Sequence, residues 1–412
     1  MSEGLSAGDL SIVTTFRAPD FTDPVFAHAP PARFEPAPAD GVLPDGFFST
    51  TNLPTYVHVD LSWRLPLEPR MDSAIVLASD GALYAREGRR VMAGDMVAVG
   101  FSEDGSEGIF VHARAFVRED EDGSEFKFMT SAVSREKPID YALMAQLLVD
   151  ERVRGGYVIW VTGPALVHSR ARADMTWFVR NGFVGALLAG NAVAVHDIET
   201  SLFGTSLGMN NAGHASAGGH GLHMRAINAV RGAGSIAAAV NRGIITSGIM
   251  HACVQHQVPF VLCGSIRDDG PLPDVITDVL RAQDTMRSHA KRATMAIMIA
   301  TALHAIATGN MLPAFVMEAD GNLRELTTIC VDSSEFVVSK LKDRGTHQAF
   351  GVVTNAQDFL HILRLFVERE LEARGIEPHH AMPNALLVET DTVPATPRSE
   401  TSVSQSPAIQ KL

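Results

Sequence analysis

The sequence predicts an α/β fold: a parallel sheet flanked by helices, preceded by a small β-rich domain. Three observations carry this. Beyond about residue 137, short apolar runs alternate with longer segments of helical character, the pattern of a parallel sheet. Six of those runs end in polar or glycine residues, at Thr162, Asn191, Asp268/Asp269, Thr301/His304, Asp332 and Asn355. Between residues 47 and 134, by contrast, short apolar runs are separated by acidic or glycine-containing turns such as Glu103-Asp104-Gly105.

Taken in order, residues 1–38 are rich in Ala, Pro and Asp, show no sustained period, and are expected to be disordered or loosely attached. Residues 39–135 form the expected β-rich domain. There Val57, Val59, Leu61 and Trp63 alternate with polar residues, as on a half-buried strand. Further apolar runs cover 74–77, 96–101, 109–117 and 126–129. The polar run Ser49-Thr50-Thr51-Asn52-Leu53-Pro54-Thr55 suits residues that bond their own backbone; a contribution to a substrate pocket is the sharper alternative. Residues 136–375 are the expected α/β domain, with strands at 157–161, 184–188, 258–263, 295–300, 328–331 and 350–353. Helices are expected between them, ending with an amphipathic one over 356–373. Residues 376–412 are rich in Pro, Ser and Thr and are expected to be a disordered tail.

The 412 residues allow two or three domains and a large core. A net charge of -13 argues against a nucleic-acid binder and against attraction to anionic lipid. The three cysteines, Cys253, Cys263 and Cys330, lack close pairing, the usage of a reducing compartment. The longest apolar run, 293–307, is too short to span a bilayer, and there is no signal-peptide pattern. We therefore expect a soluble cytoplasmic protein with a small-molecule substrate.

Six polar strand ends along one edge suggest a nucleotide-sized crevice, because ligands of open α/β sheets sit beyond the carboxyl ends of the strands. A single such end is ordinary as a helix N-cap, and that reading covers Asp332 and Asn355 well. The 260–274 stretch is the most conspicuous: an apolar run breaks into Gly264, Ser265, Asp268, Asp269 and Gly270-Pro271. An acid such as Asp332 suits a ribose diol and repels a 2′-phosphate, with Lys340 the nearest following base; this favours NAD over NADP. No G-x-G-x-x-G follows a first strand. Gly232-Ala233-Gly234-Ser235-Ile236 is the nearest substitute, and close helix packing explains it equally. His196, Asp197 and Glu199 gather three titratable groups, which a polar helix edge also explains. His214, His220 and His223 lack a fourth metal ligand, and no metal is expected.

Several of these runs resemble a known family. Besides 49–55 and the Gly264 to Asp274 loop, they are Ala189-Gly190-Asn191-Ala192, His196-Asp197-Ile198-Glu199, Leu202-Phe203-Gly204-Thr205-Ser206-Leu207-Gly208 and Thr246-Ser247-Gly248-Ile249-Met250. They are similar to the LOR/SDH-like family (lysine-oxoglutarate reductase/saccharopine dehydrogenase), which includes the archaeal-type ornithine cyclodeaminases. The same module ends the cyanobacterial arginine dihydrolase/ornithine cyclodeaminases. The resemblance covers about residues 37–375. It implies a Rossmann-like NAD-binding domain similar to that of deoxyhypusine synthase, and a homo-oligomer. Carried over by motif, it places NAD at Asn191, Ala192, the Asp268/Asp269 loop, Thr301, Ala302, Leu303, His304 and Asp332.

The implied reaction turns L-ornithine into L-proline and ammonia. Hydride leaves the carbon bearing the α-amine, the side-chain amine attacks the imine, ammonia departs, and hydride returns to the cyclic imine. Asp269 is the first choice as base or ammonium anchor and Asp268 the second, with His196, Asp197 and Glu199 behind them. Two alternatives stay open: the same NAD chemistry on another diamino acid or an amino-acid dehydrogenation, and a non-catalytic NAD-binding protein. The chain departs from many relatives in its short Pro-rich lead and in an insertion at 315–326. Either could reshape the substrate side or the oligomer interface.

Overall fold

Seven parallel strands form the main sheet among the described residues: β1 Val158–Thr162, β2 Ala186–Gly190, β3 Phe260–Cys263, β4 Val275–Ile276, β5 Met295–Ile299, β6 Thr327–Asp332 and β7 Ala349–Val353. Their order is β4-β3-β2-β1-β5-β6-β7. This computed structural model describes residues 15–117, 139–168, 171–209, 214, 216, 218–268, 270–318, 321–342 and 349–378. The chain winds outward from β1 to β4, then returns to lay β5 on the other side of β1. The order therefore reverses between β1 and β5, where an open sheet leaves a crevice at its carboxyl edge.

The strands are apolar along their length because both faces are covered. Trp160, Leu187, Leu262, Ile297 and Ile329 point to one core, under the helices Tyr141–Val153, Arg172–Arg180, Asn191–Phe203, Leu222–Ala233 and Ala356–Arg374. Their neighbours Ile159, Leu188, Val261, Met298 and Cys330 point to the other, under Val279–Ala290 and Ala302–Met311. This is the period-two alternation of a strand applied to a sheet sandwiched by helices. All six expected strands are present. The seventh, Val275–Ile276, was missed because two residues carry no period.

The β-rich region holds a four-stranded sheet, ordered Arg33–Pro36, Met96–Val99, Ala74–Leu77 and Leu83–Arg86. A three-stranded one, Ser62–Arg64, Thr55–Val59 and Ile109–Val111, lies beside it. The alternation read through Val57 to Trp63 crosses a hairpin. Asp60 and Leu61 both have positive φ, 49° and 63°, as a tight two-residue hairpin loop requires. Leu61 is consequently 95% exposed. The described part of the lead, 15–38, is built onto these sheets rather than loosely attached. Arg33–Pro36 pairs with Met96–Val99, and Phe21 stacks on Trp63 at 5.3 Å. A few aromatic anchors outweigh a proline-rich composition here. The apolar run at 126–129 and the tail from 379 lie outside the described residues.

The insertion forms a hairpin, Phe315–Met317 with Leu323–Glu325. It lies at the amino edge of the sheet, because Ala302–Met311 starts at the carboxyl edge and descends about 15 Å before reaching it. The β-rich region is fastened at that same end. Arg287 donates to both Met311 O and Glu68 O, and Ala314 N donates to Asn52 O.

Candidate active site

The carboxyl edge at the β1/β5 switch is built from close backbone contacts. Gly163 N donates to Ile299 O at 2.9 Å, and a methyl group on Gly163 would run into the Ala300 carbonyl. Ala300 itself has φ of 54°, a left-handed conformation unfavourable for an alanine, while its amide is held by Val331 O. Strain of this kind gathers at binding and catalytic sites. Beside it, the Thr162 hydroxyl is buried with no hydrogen-bond partner, although buried polar groups are as a rule satisfied.

One strand over, Asn191–Phe203 begins at Gly190 with no side chain capping its first amides. The start of a 13-residue helix attracts anions. A Cβ on Gly190 would sit 3.0 Å from His304 Cε1, so the glycine lets the His304 ring close over the helix start. Burial, reinforced by Arg267 and opposed by Asp268, holds the His304 imidazole below the ordinary histidine range. The unpartnered hydroxyl, the uncapped amides and the glycine-floored cradle fit a dinucleotide phosphate and ribose. Ile266, Leu303, Phe336 and Val353 stand exposed around the same edge and give it an apolar rim.

The individual candidates are placed as follows. Asn191 Oδ1 accepts from Leu272 N at 3.1 Å, so its side chain pins the 264–274 loop. Asp268 Oδ2 accepts from Ser265 N at 2.7 Å, closing its own turn. Asp269 lies outside the described residues. Thr301 Oγ1 is 3.4 Å from His304 Nδ1. Asp332 Oδ1 accepts from Ser334 N at 2.9 Å, closing a turn just before the Glu335–Lys342 helix, whereas Asn355 Oδ1 accepts from Asp358 N at 2.9 Å as the cap of the Ala356–Arg374 helix.

The Gly232–Ile236 stretch is not a phosphate loop. Gly234 ends one helix, Ser235 caps the next, and Ile236 N already donates to the Asp274 carboxylate at 2.9 Å. Among the described residues no group of three or more His, Cys, Asp or Glu could hold a metal ion. In the polar run at 49–55, Leu53 N donates to Thr51 Oγ1 at 3.1 Å and Thr55 Oγ1 donates to Leu53 O at 3.2 Å, both within the run, while Thr50 Oγ1 reaches outside it to Arg70 O at 2.7 Å. The small cleft that the run lines with Phe315 has about 10 Å3 of free volume, room for about one water. It sits at the amino edge, away from the crevice of its own chain.

The His196, Asp197 and Glu199 triplet divides. Asp197 is fully buried; its Oδ1 accepts from Arg172 Nε at 2.6 Å and Ile249 N at 3.0 Å, and its Oδ2 from Met250 N at 2.8 Å. It therefore caps the Ile249–Gln255 helix. Glu199, also fully buried, accepts from Thr205 Oγ1 at 2.9 Å, Leu207 N at 3.1 Å and Gly208 N at 2.8 Å. Sequence reasoning missed His168, whose ring centroid is 4.7 Å from that of His196. Its only sequence signal is a place six residues beyond the end of β1.

Two family models match this chain: residues 142–363 match the family described as arginine dihydrolase ArgZ-like, C-terminal, Rossmann fold, and residues 54–143 match the first region of the same C-terminal part. The ornithine cyclodeaminase of Methanopyrus kandleri is 46% identical over 81% of this chain and 77% of its own length. The crystal structure of a conserved LOR/SDH protein from Methanococcus maripaludis is 41% identical, with a TM-score of 0.75, covering 83% of this chain and 99% of that one. The ternary complex of AgrE with ornithine and NAD+ is 37% identical, with a TM-score of 0.54, covering 84% of this chain and 47% of that one.

Proposed function

The chain belongs to the ArgZ-like C-terminal, LOR/SDH-type family, and from that premise we propose that it is an NAD-dependent ornithine cyclodeaminase converting L-ornithine to L-proline and ammonia. It is an ammonia-lyase that uses NAD. The observation that carries the substrate reading is a relative's complex holding ornithine and NAD+ together.

NAD supplies a hydride acceptor that also gives the hydride back. The chain's own part is to hold the dinucleotide at the Gly190–Ala192 helix start and the Thr162–Gly163 floor. Asp332 would take a ribose hydroxyl. The loop carrying Asp268 and Asp269 would anchor a substrate ammonium, with Asp269 the stronger choice because Asp268 already closes its own turn. Ile266 and Leu303 would supply the apolar walls that keep water from an imine.

The direct test gives the protein catalytic NAD and L-ornithine and follows ammonia, proline and NADH absorbance. Ammonia and proline should accumulate together, far beyond the NAD supplied, with no net NADH. Stoichiometric NADH would move the assignment to an ordinary dehydrogenase; turnover only with another diamino acid would change the substrate and keep the chemistry. The cofactor reading has its own check. NAD should raise the melting temperature by mass action and NADP much less. Asp332→Ala should weaken NAD about tenfold, about 1.4 kcal/mol, with the fold intact. Equal stabilisation by the two cofactors would remove Asp332 from the ribose.

A further inference from the structure

Just past the end of β1, His168 meets Ser206, His196 and, behind them, Glu199. The single helical turn Ala165–His168 carries His168 about 6 Å beyond Pro164. His168 is exposed, and its Nδ1 lies 2.7 Å from Ser206 Oγ. Its ring leans on His196, which is only 8% exposed and whose Nδ1 is 3.7 Å from Glu199 Oε2. Burial opposes the charge on Glu199, but His196, the Gly208 amide, the Thr205 hydroxyl and the Leu207 amide together outweigh it and hold the carboxyl below its usual value. A buried carboxylate thus stands behind two imidazoles, and only the outer one reaches solvent.

We propose that His168 accepts the proton of the substrate's α-ammonium, with Glu199 acting through His196 as the positioning pair; this rests on the cyclodeaminase reading. In the tautomer whose Nδ1–H donates to Ser206 Oγ, the Nε2 lone pair is the basic site. The ammonium N–H bond breaks, the Nε2–H bond forms, and the electron pair stays on the amine nitrogen. The proton returns to the amino group as its C–N bond breaks and that pair leaves with ammonia. Burial and His196 lower the His168 pKa while Glu199 raises it, and the net lowering favours the neutral, proton-accepting ring. Among the described residues, His196 and Glu199 are the titratable groups acting on it. Asp197, on the same helix, is instead tied to Arg172.

The test measures kcat/KM for ammonia release from ornithine between about pH 5 and 9, with NAD-induced stabilisation as an independent readout. The wild type should lose activity on the acid side, with a midpoint below the ordinary histidine value of about 6.5. His168→Gln should lose about 100-fold or more and its acid limb, while NAD still raises the melting temperature. Glu199→Gln should move the acid limb to lower pH, because the carboxylate raises the His168 pKa; a purely structural role would not shift it. If that variant does not fold, Ser206→Ala gives the second reading, since it frees Nδ1 and should also move the limb. A His168→Gln enzyme with the wild-type rate and profile overturns the assignment and leaves the cyclodeaminase reading standing. No ammonia from the wild type overturns both.

Discussion

Asp197→Ala is expected to lose about 3–5 kcal/mol of folding stability. The carboxylate is fully buried and serves three donors at once: Arg172 Nε, Ile249 N and Met250 N. Removal leaves a guanidinium without its counter-charge and two amides of a helix start unpaired. Loss of such a cap alone costs about 1 kcal/mol. Gly248 shows how tightly the arrangement is fitted. Its φ is 103°, and a Cβ there would collide with the Arg172 guanidinium and the Asp197 carboxylate. Urea unfolding should show a lower midpoint with an unchanged slope. A variant of near wild-type stability that has lost ammonia release would instead make Asp197 part of the chemistry.

That contrast marks what one sequence can and cannot disclose. An acid in a helical segment looks the same whether it caps a helix or serves a substrate. Asp197 is a cap because Arg172 and Gly248 to Met250 fold against it, from 25 residues before and about 50 after. Glu199 gathers Thr205, Leu207 and Gly208 from the loop that follows, so two of the family-like runs are joined by one carboxylate. His168 is not legible in the sequence because its neighbours His196 and Ser206 lie 28 and 38 residues on.

The main sheet was legible for the opposite reason. Burial on both faces forces continuous apolar runs, and their carboxyl ends must turn, so the strands and the ligand edge are both written locally. The strand order is not. The reversal between β1 and β5 follows from the crossover that returns along Val279–Ala290, and only that reversal singles out Thr162, Gly163 and Ala300 from the other strand ends.

Gly163→Ala tests that reversal directly. The new methyl would meet the Ala300 carbonyl, and neither side can yield cheaply. Gly163 is held by its hydrogen bond to Ile299 O, and Ala300 is held by Val331 O in β6. Relief therefore requires β1 and β5 to part at the floor of the crevice. Overpacking of this kind typically costs about 1–3 kcal/mol. Because the strain falls at the floor, NAD affinity should drop by tenfold or more, seen as a smaller NAD-induced rise in melting temperature. Gly232→Ala is the control. It lies in the Leu222–Ala233 helix with open space around it, so it should be neutral or gain about 0.5–1 kcal/mol and bind NAD normally. The reverse pattern, with Gly163→Ala binding NAD fully and Gly232→Ala impaired, would move the phosphate from the β1/β5 crevice to the Gly232–Ile236 turn.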